Sequence, residues 1–112
     1  MQKIHVSRNR RRWALNQEEL AHLLGISQSV LSRCEKGESQ PDASVALGLQ
    51  VIFGFSPRAL FPDFYRKIEE VVMMRAAAMD RTLASGRDGT TQVKRRLLKA
   101  MMLRAKGSRA GA

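Results

Sequence analysis

NQEELAHLLGISQSVLSRCEKG, residues 16–37, decides the fold. Asn16 reads as a helix N-cap, and Glu18 and Glu19 place acids at the positive end of the helix it opens. Leu20, Ala21, Leu23 and Leu24 form the expected buried side. Gly25 ends that helix, because a tight turn needs a residue that adopts positive φ without strain. Two residues later Ser27 starts a second helix, with Val30, Leu31 and Cys34 pointing inward and Gly37 closing it. Ala21 is small where two helices joined by so short a turn must approach closely.

Working outward, Val6 and Trp13 lie seven apart in a basic N-terminal stretch, which suits a short helix facing the core. Pro41 and Asp42 open a fourth helix in which Ala46, Leu49 and Phe53 recur at spacings of three and four, and Gly54 stops it. Ser56-Pro57 is an N-cap followed by proline at the first helical position, and Leu60 and Phe61 close a short fifth helix. From Pro62-Asp63 a longer segment carries Phe64, Ile68, Val72, Met79 and Leu83 near one face. Ser85 to Gly89 reads as a loop, and residues 91–105 as a basic amphipathic helix with Val93, Leu97, Met101 and Ala105 spaced by four. No period-two alternation occurs, so the fold class is all-α. The expected organisation is a five-helix domain over 1–62, a helical extension over 63–105 and a disordered tail over 106–112.

Composition narrows what such a chain does. Twenty Lys and Arg against ten Asp and Glu give 112 residues a net charge of +10, which points to a polyanionic partner. No apolar run approaches the roughly 20 residues that span a bilayer. The basic residues near the N-terminus lead into NQEEL rather than an apolar stretch, so no signal peptide is expected. One cysteine cannot form an internal disulfide, which suits a reducing, cytoplasmic setting, and one Cys with two distant His does not make a zinc site. Neither a metal nor a cofactor is expected. No Ser/His/Asp or Cys/His set and no phosphate-cradling glycine loop is present, so an enzyme is not expected. Cys34 reads as a core residue, His5 and His22 as solvated, and Met73, Met74, Met79, Met101 and Met102 as adaptable apolar packing.

The two short helices and their turn have the helix-turn-helix arrangement. The outward residues of the second helix, Gln28, Ser29, Ser32, Arg33 and Lys36, are polar, uncrowded and free of acid, as entry into a major groove requires. The stretch NQEELAHLLGISQSVLSRCEKGESQPD resembles the helix-turn-helix family of lambdoid phage repressors and Cro, often called the XRE family. The resemblance covers about residues 4–61 and takes in Pro41, Gly54, Ser56 and Leu60-Phe61. It implies a five-helix domain that binds an operator as a dimer, with functional positions at Gln17, Ser27, Gln28, Ser29, Ser32, Arg33 and Lys36. It also implies a pair between a first-helix Arg and a Glu closing the recognition helix, places held by Arg10 and Glu35. Ala14, Gly48 and Gln50 depart from the family pattern, and none lies on the reading face.

The expected partner is therefore double-stranded DNA, bound by a repressor at the nucleoid, with no membrane contact. Gln28 suits adenine N6 and N7, Arg33 suits guanine O6 and N7, and Ser29 and Ser32 allow close approach to base edges. Phosphates fall to Gln17, Ser27 and Lys36, to the basic run Arg8, Arg11 and Arg12, and to Lys94, Arg95 and Arg96 in the extension. Phe64, Ile68, Val72, Met79 and Leu83 form the expected homodimer interface. The alternative is an antitoxin-type module that holds another protein through this extension and regulates its own synthesis through the helix-turn-helix.

Overall fold

The computed structural model describes residues 4–110, all helix and connecting turns. Among them are seven helices: α1 (Val6–Arg12), α2 (Gln17–Leu24), α3 (Gln28–Glu35), α4 (Ala43–Phe53), α5 (Pro57–Leu60), α6 (Pro62–Leu83) and α7 (Gly89–Ala110). No strand occurs among the described residues. The chain divides into two compact units, one ending at Arg66 and one beginning at Lys67, with α6 running through the division.

The first unit closes around Val6, Leu20, Leu31, Leu49 and Leu60, all fully buried, with Ala21, Cys34, Val45 and Phe61 beside them. Each of α1 to α5 contributes to this cluster, so the short helices hold one another although none is long enough to persist alone. Gly48 has a packing reason to interrupt α4. A Cβ there would lie 2.8 Å from Leu24 Cδ2, so glycine lets α4 approach α2 at a propensity cost of about 1 kcal/mol. Phe64 also packs on this cluster, which carries the unit past the expected boundary at residue 62.

Several expected apolar contacts are not made. Trp13 is 64% exposed, because it caps α1 and the chain reverses at Ala14 before the helical period can bring the indole inward. Leu23 is exposed because it lies beyond the arc shared by Leu20, Ala21 and Leu24, and Val30 is exposed beside the buried Leu31 and Cys34. Ala14 adopts φ 58, which closes α1 with Ala14 N–H donating to Arg11 O at 3.0 Å. Left-handed alanine costs on the order of 1 kcal/mol, part of which glycine would lose again as unfolded-chain entropy. Ala14→Gly is expected to stabilise this unit by about 0.5 kcal/mol and raise Tm by roughly 2–4 °C. An unchanged or lowered Tm in a thermal scan would show that the turn stores no such strain.

In the second unit Ala76 of α6 and Thr91 and Leu98 of α7 are buried. Gly86 brings the loop close to Thr91, where a Cβ would meet Thr91 Cγ2 at 2.8 Å. Asp88 caps α7 by accepting from Thr91 N at 2.7 Å and from Thr90 Oγ1 at 3.2 Å, and the Thr91 amide holds its carboxyl below the usual range. The apolar stripe expected on α7 is not the packed one, and the residues expected at a homodimer interface on α6 divide. Phe64 belongs to the first unit's core, Leu83 is half-buried, and Ile68, Val72 and Met79 remain exposed. On α7 Val93 and Leu97 are 55% and 58% exposed, while the adjacent Leu98 is buried. Both helices carry apolar residues on more than one side, and the side lined by Thr91, Leu98 and Ala105 is the one that packs. The expected disordered tail is helical from 106 to 110: Gly107 alone does not stop α7, and no proline follows. The rest of that tail, 111–112, lies outside the described residues.

Candidate nucleic-acid interface

Two caps and one turn set the angle between α2 and α3. Asn16 Oδ1 accepts from Glu19 N at 2.8 Å, while Glu19 Oε1 accepts from Asn16 N at 2.9 Å, a reciprocal pair that satisfies two otherwise orphaned amides. Gly25 ends α2 at φ 71, and Ile26 N donates to Ala21 O at 3.0 Å across the turn. Ser27 Oγ then accepts from Val30 N at 3.2 Å and starts α3. The Ser27 hydroxyl only accepts in this cap, so its proton stays free to donate to a phosphate oxygen.

A polar network ties α1, α2 and α3 together beside this turn. Arg10 Nε donates to Glu35 Oε2 at 2.8 Å and Arg10 Nη2 to Glu35 Oε1 at 3.2 Å. Arg10 Nη1 reaches Leu15 O at 3.0 Å, which fixes the α1–α2 connection. The two side chains are only 10% and 5% exposed, so the pair expected from the sequence is a buried one. Gln17 Nε2 also donates to Glu35 Oε1, at 2.9 Å, and Gln17 Oε1 accepts from Gln28 Nε2 at 3.3 Å. Glu35 therefore orients Gln17, and Gln17 orients Gln28. The residues alone do not reveal this role of Gln17, since the contact spans 18 positions; its only trace is a polar residue opening α2 opposite the Glu that closes α3.

Gln28, Ser29 and Arg33 are exposed on α3, Lys36 is exposed at its C-cap, and Ser32 is partly covered. Arg8, Arg11 and Arg12 are exposed on α1, whose last turn is wholly basic. Burial, reinforced by the neighbouring Glu35 carboxylate, pushes the Cys34 thiol up to about 11, which leaves it unreactive at neutral pH. No group of His, Cys, Asp and Glu suited to a metal ion occurs among the described residues. No helix of the described residues is long and apolar enough to cross a membrane.

The three cations expected to act together at 94–96 are in the second unit and do not form one patch. Consecutive helical residues point about 100° apart, so Lys94 lies about 200° from Arg96, whereas Arg95 and Arg96 line one hollow. Arg95 Nε is held by Asp80 Oδ1 at 3.0 Å.

A helix-turn-helix family model matches residues 14–60, from the left-handed residue that closes α1 to the end of α5. No characterised protein and no solved structure is significantly similar to the chain. The matched segment contains both caps, the turn and α3, and it stops short of the whole second unit.

Proposed function

We propose, from the premise that residues 14–60 are a helix-turn-helix domain of the XRE and Cro type, a family of DNA-binding transcription regulators, that this chain is a dimeric repressor that reads a double-stranded operator. The observation that carries the reading is the chain of contacts from Arg10 through Glu35 and Gln17 to Gln28. It holds the first residue of α3 in place before DNA arrives, and a preorganised side chain loses less entropy on binding.

In this reading α3 enters the major groove. Gln28 pairs with an adenine edge and Arg33 with a guanine edge, while Ser29 and Ser32 keep the helix close to the bases. Gln17 opens α2, and its backbone amide at that helix N-terminus suits a phosphate. Lys36 and the exposed Arg8, Arg11 and Arg12 add sequence-independent phosphate contacts. Two such heads on a symmetric dimer read half-sites about one helical turn apart, and a bound dimer represses by excluding other proteins from that site.

Selection of bound fragments from a random duplex pool, followed by sequencing, tests the reading. A motif with two-fold symmetry is the expected result, and recovery of unrelated fragments would overturn it. Arg33→Ala is expected to cost about 1–3 kcal/mol on the selected duplex and to relax preference at one base pair. An equal loss on random DNA would move Arg33 to a phosphate role.

A further inference from the structure

Most of the chain's excess positive charge lies outside the reading head. Residues 84–112 hold eight basic side chains and one acidic one, and α7 itself contains no acid over its whole length. At about 100° per residue, Arg95, Arg96, Lys99 and Lys106 fall within one arc of roughly 100° on α7. Lys94 and Arg104 fall outside that arc.

The structure makes this arc a shaped surface. Gln92, Arg95, Arg96, Lys99 and Met102 line an open hollow of about 350 Å³, with Asp80 of α6 as its remaining wall. Asp80 holds Arg95 through Nε at 3.0 Å, and that contact favours the charged guanidinium. A planar cation fixed in this way is positioned before a ligand arrives. Arg96 and Lys99 are exposed and have no acidic partner among the ion pairs of the described residues.

An enclosed pocket would suit a small anion, whereas an open row of cations suits a polymer with repeated charges. From Arg95 to Lys106 the row is about 16 Å long, and one strand of duplex presents about five phosphates over that axial length. We propose that the Arg95–Arg96–Lys99–Lys106 face of α7 is a second DNA-binding surface, one that grips the phosphodiester backbone without reading sequence. This goes beyond the operator reading by α3 and does not depend on it. Its role is to raise the affinity for any duplex, so that the reading head searches and settles while the chain stays on DNA.

The test uses the full chain and a 40-base-pair random-sequence duplex, with affinity measured across a KCl series. Arg96→Ala with Lys99→Ala is compared with Lys94→Ala plus Arg104→Ala, which removes the same charge from outside the arc. The first pair is expected to flatten the plot of log affinity against log salt by about two units, at nearly one per lost phosphate contact. The control pair is expected to change the slope by less than half as much. Equal flattening by both pairs, with circular dichroism unchanged, would reduce the effect to overall charge and overturn the proposal. Tighter binding to phosphatidylserine vesicles or to a 40-nucleotide RNA than to the duplex would overturn it as well. Repeating the series in a Gln28→Ala, Arg33→Ala background separates the two surfaces. The slope difference persists there if α7 acts independently, whatever becomes of sequence selectivity.

Discussion

Glu35→Ala is expected to destabilise the first unit by about 3–5 kcal/mol. The substitution leaves the Arg10 guanidinium in a site where the pair is 10% and 5% exposed, with three of its contacts built around a missing carboxylate or its loop partner. Breaking a buried pair from one side costs about 3–5 kcal/mol, since the remaining charge stays desolvated. Small domains hold only about 5–15 kcal/mol in total, so a loss of this size reaches a large part of the reserve. Removing both charges has a different outcome. Arg10→Met with Glu35→Leu replaces the pair with apolar side chains of similar volume and is expected to recover most of the stability. It does not recover function, because Gln17 loses the acceptor that sets its amide and Gln28 loses its fixed neighbour. Denaturant titration should rank the double variant well above Glu35→Ala, while its affinity for the selected duplex falls about tenfold, or about 1.4 kcal/mol. Full affinity in a stable double variant would show that the network supports the fold alone.

The parts of the molecule set by short-range chemistry were readable in the residues. Asn16, Ser27, Asp42 and Ser56 each cap the helix they were expected to open, because one side-chain oxygen three residues before an amide is enough. The pair of Arg10 and Glu35 was accessible only through the family resemblance, as no local pattern connects residues 25 positions apart. Periodicity misled where a helix has two apolar sides. On α7 the spacing of Val93, Leu97, Met101 and Ala105 is regular, yet Leu98 is the leucine that packs, and only the partner surface of α6 decides between them. Phe64 was readable as apolar but not as the last residue to join the first unit's core. Adjacent cations at 94–96 look like one patch in a written sequence, whereas helical rotation carries Lys94 off the face and brings Lys99 beside Arg95 and Arg96.

Ile68→Glu with Val72→Glu is expected to convert a dimer to a monomer without unfolding either unit. The two side chains are 47% and 40% exposed in the single chain, and Val71 and Met79 on α6 are exposed too. A helical pair that keeps so much apolar surface outside its own contact has material for a second contact, and pairing with its own copy makes a four-helix arrangement. Self-pairing also suits operator binding, since a symmetric dimer presents the same head to both half-sites. Residues 63–83 carry four basic and four acidic side chains, so two copies meet there without the repulsion expected across α7. In the proposed dimeric reading the contact would convert the second half-site into an intramolecular encounter, and its loss is expected to weaken binding to the full site by about 10²- to 10⁴-fold. Affinity for a single half-site should hardly change. Light scattering at micromolar concentration reads the assembly and duplex titration reads the affinity. A dimer that survives both glutamates places the interface elsewhere, whereas a chain already monomeric before substitution, and held by another protein at fixed stoichiometry, assigns the same stripe to an antitoxin-type partner.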